Sequence, residues 1–141
     1  MSEFYEFLKE SGAGTLGHSG RTLFDHLVGV EQLLKKHGRS ETEQRAGLFH
    51  SIYGTEYYTK SESLNIQRDK IRELIGEQSE LLAFLFCKTK GRTQRIVEDD
   101  WFREPERTQL RWIEYCNLIE QNPDRADRWV EILEEKLQIN G

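Results

Sequence analysis

Apolar residues recur with helical spacing along almost the whole chain, and no segment alternates cleanly enough to be read as a strand. Phe4, Phe7 and Leu8 mark a short first helix for which Ser2 is the candidate cap. The glycine-rich stretch SGAGTLGHSG that follows must be irregular. Leu23, Leu27, Val30 and Leu34 then define a helix that Gly38 ends, just after His37. A third helix opens at SETE, where Ser40 and Glu43 form a capping box, and runs through Ala46, Phe49 and His50 towards Gly54. TKSESLNIQ reads as a loop, IRELIG as the end of another helix, and EQSELLAFLFC as a strongly apolar one. The charged run KTKGRTQRIVEDD reads as a connector leading to Pro105, which suits a first helical turn. Leu110, Ile113, Cys116 and Leu118 belong to that helix, and QNP stops it. Asn122 and Pro123 look like the cap and first turn of a last helix carrying Ala126, Trp129, Val130, Leu133 and Leu137. These spacings predict an all-α protein of about seven helices. With no internal repeat or linker, the expectation is one domain spanning residues 1–141.

Three polar residues interrupt the apolar stripes. His26 shares a face with Leu23, Val30 and Leu33; His50 lies with Ala46 and Tyr53; Asn117 follows Ile113 and Leu110 by one and two turns. A buried polar group without a partner costs roughly 1–3 kcal/mol. Taken singly, a buried His or Asn usually satisfies a backbone group. Two histidines and an asparagine sent inward from three helices point instead to a common polar pocket. His18, in the glycine-rich stretch, is placed to close its rim. His37 sits in a last helical turn and reads as a favourable charge at a C-terminus.

Composition narrows the field. The charged fraction of 32% and hydrophobic fraction of 36% are within globular range. A net charge of -5 argues against a general grip on nucleic acid, which needs a dominant basic face. Cys87 and Cys116 match no zinc spacing and sit in apolar helices, as buried free thiols do. MSEFYEFLKE carries no basic lead or long apolar run, and LLAFLFC is too short to span a bilayer, so the expectation is a cytoplasmic protein without membrane contact.

The run HSGRTLFDHLVGVEQLLKKHGRSETEQRAGLFHS resembles the HD superfamily of helical metal-dependent phosphohydrolases. Within it, the likeness is greatest to the (p)ppGpp hydrolase domain of stringent-response enzymes. Ser19-Gly20 precedes His26 as a Ser-Gly precedes the first metal-ligand His of that family, and His50 follows at the family's separation. RELIGEQSELLAFLFCKTK resembles the segment ending near a Thr-Lys, and YCNLIEQ falls at the last metal ligand. The resemblance implies an all-helical fold, a divalent-metal site and a phosphorylated or nucleotide-like substrate. By motif position the ligands His, His, Asp and Asp fall on His26, His50, Ser51 and Asn117, so both carboxylates are replaced. The acidic pair that supports the attacking water falls on Gly54 and Thr55, with Glu56 one position beyond as the candidate base or ligand.

Two imidazoles, a hydroxyl and an amide bring no negative charge, which disfavours hard cations such as Mn²⁺ or Mg²⁺. His26 and His50 with Glu56, or with His18 as a third nitrogen, would suffice for Zn²⁺, Fe²⁺ or Ni²⁺. Donor chemistry alone ranks that below an empty hydrogen-bonding pocket. Tyr53, Tyr57 and Tyr58 offer flat apolar surface suited to a ring-bearing small ligand. Lys88, Lys90, Arg92 and Arg95 form the densest basic run, with Lys90 in the Thr-Lys place, and Arg21 is a second candidate anion contact. Trp101-Phe102 is a candidate plug or lid.

Three functions follow. The first is a metal-assisted enzyme acting on a small phosphorylated or nucleotide-like molecule. His26 and His50 would hold the metal, with Glu56 and His50 as catalytic residues and His18, Arg21, Ser51, Tyr53, Tyr57, Lys90 and Asn117 lining the ligand. The second is a small-molecule-binding domain that has lost the metal site, and the third an HD-type oxygenase. Histidines kept inside an apolar core place the enzyme first; loss of the carboxylates favours the second.

Overall fold

Helix α2, Leu23–Lys36, is the element around which the others gather, and its start is strongly specified. Thr22 and Asp25 form a reciprocal capping box, with each side chain bonded to the other's backbone N–H. Gly38, at φ +74°, follows His37 and stops the helix as its position predicts. The computed structural model describes residues 2–11, 17–18, 21–54, 64–98, 100–124 and 127–139.

Helix α1 spans Ser2–Glu10, so Ser2 opens the helix. Two short strands, β1 (Gly17–His18) and β2 (Arg21–Thr22), pair antiparallel with His18 opposite Arg21. This ladder is the one departure from the strand-free expectation among the described residues, and the fold class is all-α. Helix α3, Glu41–Leu48, starts where Ser40 accepts the Glu43 N–H at 3.3 Å. The Glu43 carboxylate is taken by Arg39 and the Ser40 hydroxyl.

Four boundaries differ from the sequence reading. Helix α3 ends at Leu48, so His50 and Ser51 lie in a turn that leads into the 3₁₀ turn Ile52–Gly54. Helix α4, Leu64–Ile75, begins inside what reads as a loop. The connector after α5 (Glu77–Lys88) contains α6, Arg92–Val97, because Ile96 and Val97 supply a buried face despite the surrounding charge. Helix α7 spans Glu106–Gln121, and α8, Arg128–Lys136, starts from an Asp127 cap rather than from Asn122-Pro123. Ala126 lies outside the described residues.

Helix α2 packs on α3 and α7, α3 on α5, and α4 on α5. One core cluster joins Val30, Leu34, Ala46, Phe86, Ile113 and Val130; the other joins Leu8, Leu27, Phe49, Ile52, Ile71 and Ala83. Helices α2 and α5 contribute to both. Phe102 plugs the first cluster, whereas Trp101 is exposed under Arg95. No described helix is long and apolar enough to cross a membrane.

Candidate functional site

His26 faces inward from the middle of α2 and is 1% exposed, and Asn117 reaches it from α7. His26 Nε2 lies 2.8 Å from Asn117 Oδ1, and Nδ1 lies 2.9 Å from Glu120 Oε1. Asn117 Nδ2 donates to Glu114 Oε1 at 3.0 Å, which fixes the amide so that its oxygen faces the imidazole. The second Glu114 oxygen accepts from Thr93 Oγ1 at 2.8 Å and has Arg92 Nε at 3.5 Å. A carboxylate with no exposed surface needs such company, since removing one member of a buried charge pair costs about 3–5 kcal/mol.

His50 is held differently. Its Nδ1 bonds to the Gly47 carbonyl at 2.6 Å, so the turn after α3 orients its own imidazole. The ring meets His26 edge to face at 5.4 Å between centroids, and Phe86 at 5.0 Å. Two glycines permit this closeness. A Cβ on Gly47 would strike the Leu34 and Val30 side chains of α2, and one on Gly29 would lie 2.5 Å from Glu120 Oε2.

The structure therefore brings together His26, His50 and Asn117. Ser51, next in the turn, is half-buried and stays outside the His26–Asn117 network. Tyr53 is buried, but its hydroxyl donates to Glu80, which Arg68 grips through two nitrogens at 2.8 and 2.9 Å. The 3₁₀ turn places Tyr53 in the second core cluster, against Phe84, so it serves packing there. Lys90 is exposed in the turn between α5 and α6. The backbones of His18 and Arg21 pair with each other in the β1–β2 ladder. Glu56 and Tyr57, and the side chains of His18 and Arg21, lie outside the described residues.

Sequence reasoning missed Glu114 and Glu120, and named Arg92 only as one member of a basic run. The signal for the two glutamates was present: they stand three residues before and after Asn117, on the same face of α7.

Both ring nitrogens of His26 face oxygen atoms, Glu120 Oε1 and Asn117 Oδ1. Histidines that ligate a metal hold the other ring N–H on a carboxylate or backbone carbonyl. Glu120 and Gly47 stand in those positions on the two Nδ1 atoms, while His26 Nε2 is engaged by Asn117 Oδ1 and would have to exchange that contact for an ion. Among the described residues no group of three His, Cys, Asp or Glu is placed to hold a metal ion. A third ligand would have to be the Asn117 amide oxygen or come from Glu56 or His18. This donor set does not fit Mg²⁺ or Mn²⁺, and it fits a nitrogen-preferring ion such as Zn²⁺, Fe²⁺ or Ni²⁺.

No curated protein and no solved structure matches the chain. A family model described as "Domain of unknown function (DUF6817)" matches residues 7–90, more than half of the chain and the part that holds both histidines. The chain belongs to that family.

Proposed function

We propose that this is a divergent HD-type domain, an enzyme that holds a transition-metal ion on His26 and His50 and acts on a small phosphorylated or nucleotide-like molecule. One observation carries the reading: each of two neighbouring buried imidazoles has its Nδ1 tied to an oxygen, by Glu120 and by Gly47. A structural histidine needs one such bond for its own sake. Two of them on rings 5.4 Å apart, one from α2 and one from the turn after α3, support a reading in which the rings share an ion.

When bound, such an ion would polarise a phosphoryl oxygen or make a coordinated water acidic. The chain's own part is positioning. Glu120 sets the ring angle of His26, and Glu114 turns the Asn117 carbonyl inward. Gly47 O fixes His50, and the Phe86 ring covers one side of it.

A second reading, a binding domain without metal, is favoured by the closure of the network itself. Glu120 and Asn117 engage both ring nitrogens of His26, and Arg92 stands beside Glu114, with no ion present. Elemental analysis of tag-free protein separates the two. The enzyme reading expects about one transition-metal ion per chain, lost in His26→Ala and in His50→Ala. Metal-free, folded protein that small phosphorylated molecules stabilise against heat would support the second.

A further inference from the structure

Arg92 opens α6, with its guanidinium carbon 4.3 Å from the centroid of the Phe86 ring. That same ring packs edge to face on His50. On its other flank, Arg92 Nε stands 3.5 Å from Glu114 Oε2, in the carboxylate that orients Asn117. One arginine is thus one residue removed from both halves of the site.

Its hydrogen bonding is incomplete. Nη1 donates to the Phe86 carbonyl at 3.3 Å, but the buried Nε has no hydrogen-bond partner. The two Glu114 oxygens already accept from Asn117 and Thr93. The buried Nε cannot reach a bound molecule, but the guanidinium is held by stacking and charge and keeps its Nη2 donors to spare. The side chain is also 36% exposed, which puts one cation at the boundary between the buried network and solvent. Lys90, the contact the sequence suggested, is exposed and has none of these links.

We propose that Arg92 is the anion contact of this site, donating to a phosphoryl oxygen of the bound molecule. Arginine suits the task because its planar fork pairs with two phosphoryl oxygens at once, whereas a lysine acts as a point charge. The inference rests on the reading that the site takes a phosphorylated molecule.

The test is calorimetric titration of the full chain with pyrophosphate and, separately, AMP, with metal content measured on the same samples. The expected result is binding by the unchanged protein, about tenfold weaker in Arg92→Gln and within about twofold in Lys90→Gln. Arg92→Lys keeps the charge beside Glu114 and decides the matter if Arg92→Gln does not fold. Binding weakened about threefold or more in that variant supports the fork contact, and unchanged binding overturns it. Tighter binding of AMP than of pyrophosphate identifies a nucleotide as the source of the phosphoryl group, and the reverse a simple polyphosphate; the arginine dependence is required in either case. Equal loss in Lys90→Gln, or none in Arg92→Gln, overturns the inference while the metal and ligand reading stands. No binding of either probe by metal-loaded protein overturns the inference together with the phosphorylated-ligand reading.

Discussion

Glu120 lies against the backbone of Gly29, so close that a single added Cβ would stand 2.5 Å from its Oε2 and 2.8 Å from its Cγ. The contact brings α7 onto α2 at the point where the carboxylate meets His26 Nδ1, 94 residues away in sequence. A glycine in mid-helix is unfavourable by about 1 kcal/mol relative to alanine, and here that cost accompanies a close approach that orients the imidazole.

Gly29→Ala is therefore expected to destabilise the protein despite its gain in helix propensity. Overpacking of this kind costs about 1–3 kcal/mol, and the His26–Glu120 pair is broken or displaced with it. Chemical denaturation measures the first effect. A more stable Gly29→Ala protein would show that Glu120 moves aside freely and that its contact with His26 is incidental.

Asn117 is the second test of the network. Asn117→Asp removes the amide donor to Glu114 and sets a carboxylate against a carboxylate that is fully buried. Without metal the variant should lose about 1–3 kcal/mol. Added Zn²⁺ should restore much of that loss, because the new carboxylate supplies the negative charge that the two imidazoles lack. Denaturant midpoints with and without Zn²⁺ measure both. Equal stability of the two proteins in the absence of metal would contradict the arrangement described.

The cysteines give a prediction that needs no ligand. Burial pushes the Cys116 thiol up from 9.0 to about 12, with the Glu43 carboxylate acting in the same direction. Between those values the folded chain keeps a proton that the unfolded chain has released. Stability from this group is complete below pH 9 and falls as pH rises towards 12, by about 1.4 kcal/mol per pH unit. Cys116→Val should flatten that part of the curve relative to the unchanged protein. Native Cys116 should also resist a thiol reagent at pH 8 until the chain unfolds. Rapid labelling of Cys116 in folded protein would refute the burial assigned to it.

The sequence made the helices legible because each apolar stripe has one burial solution: Leu27, Val30 and Leu34 are wholly buried, as their spacing predicts. His26 and Asn117 were legible for the same reason, as polar intruders on those stripes. The site's second layer was not. Glu114 and Glu120 share the face of Asn117, but on a helix rich in charge they read as solvated residues until the packing of the helices shows them facing inward. A helix continued through His50 would carry Tyr53 to the same face. The chain instead leaves α3 at Leu48, and the tyrosine goes to Glu80. Arg92 was hidden in a charged run, since composition does not distinguish a solvated arginine from one stacked on Phe86.

The central claim is that His26 and His50 share one ion, and anomalous X-ray diffraction from crystals of tag-free protein tests it most directly. Data collected on either side of the absorption edge of the bound element should show a single peak within about 2.0–2.1 Å of both Nε2 atoms. The same peak should be absent from His50→Ala crystals. Crystals without such a peak, with the His26 ring closed between Asn117 and Glu120, would contradict the account and leave a polar network that binds no metal.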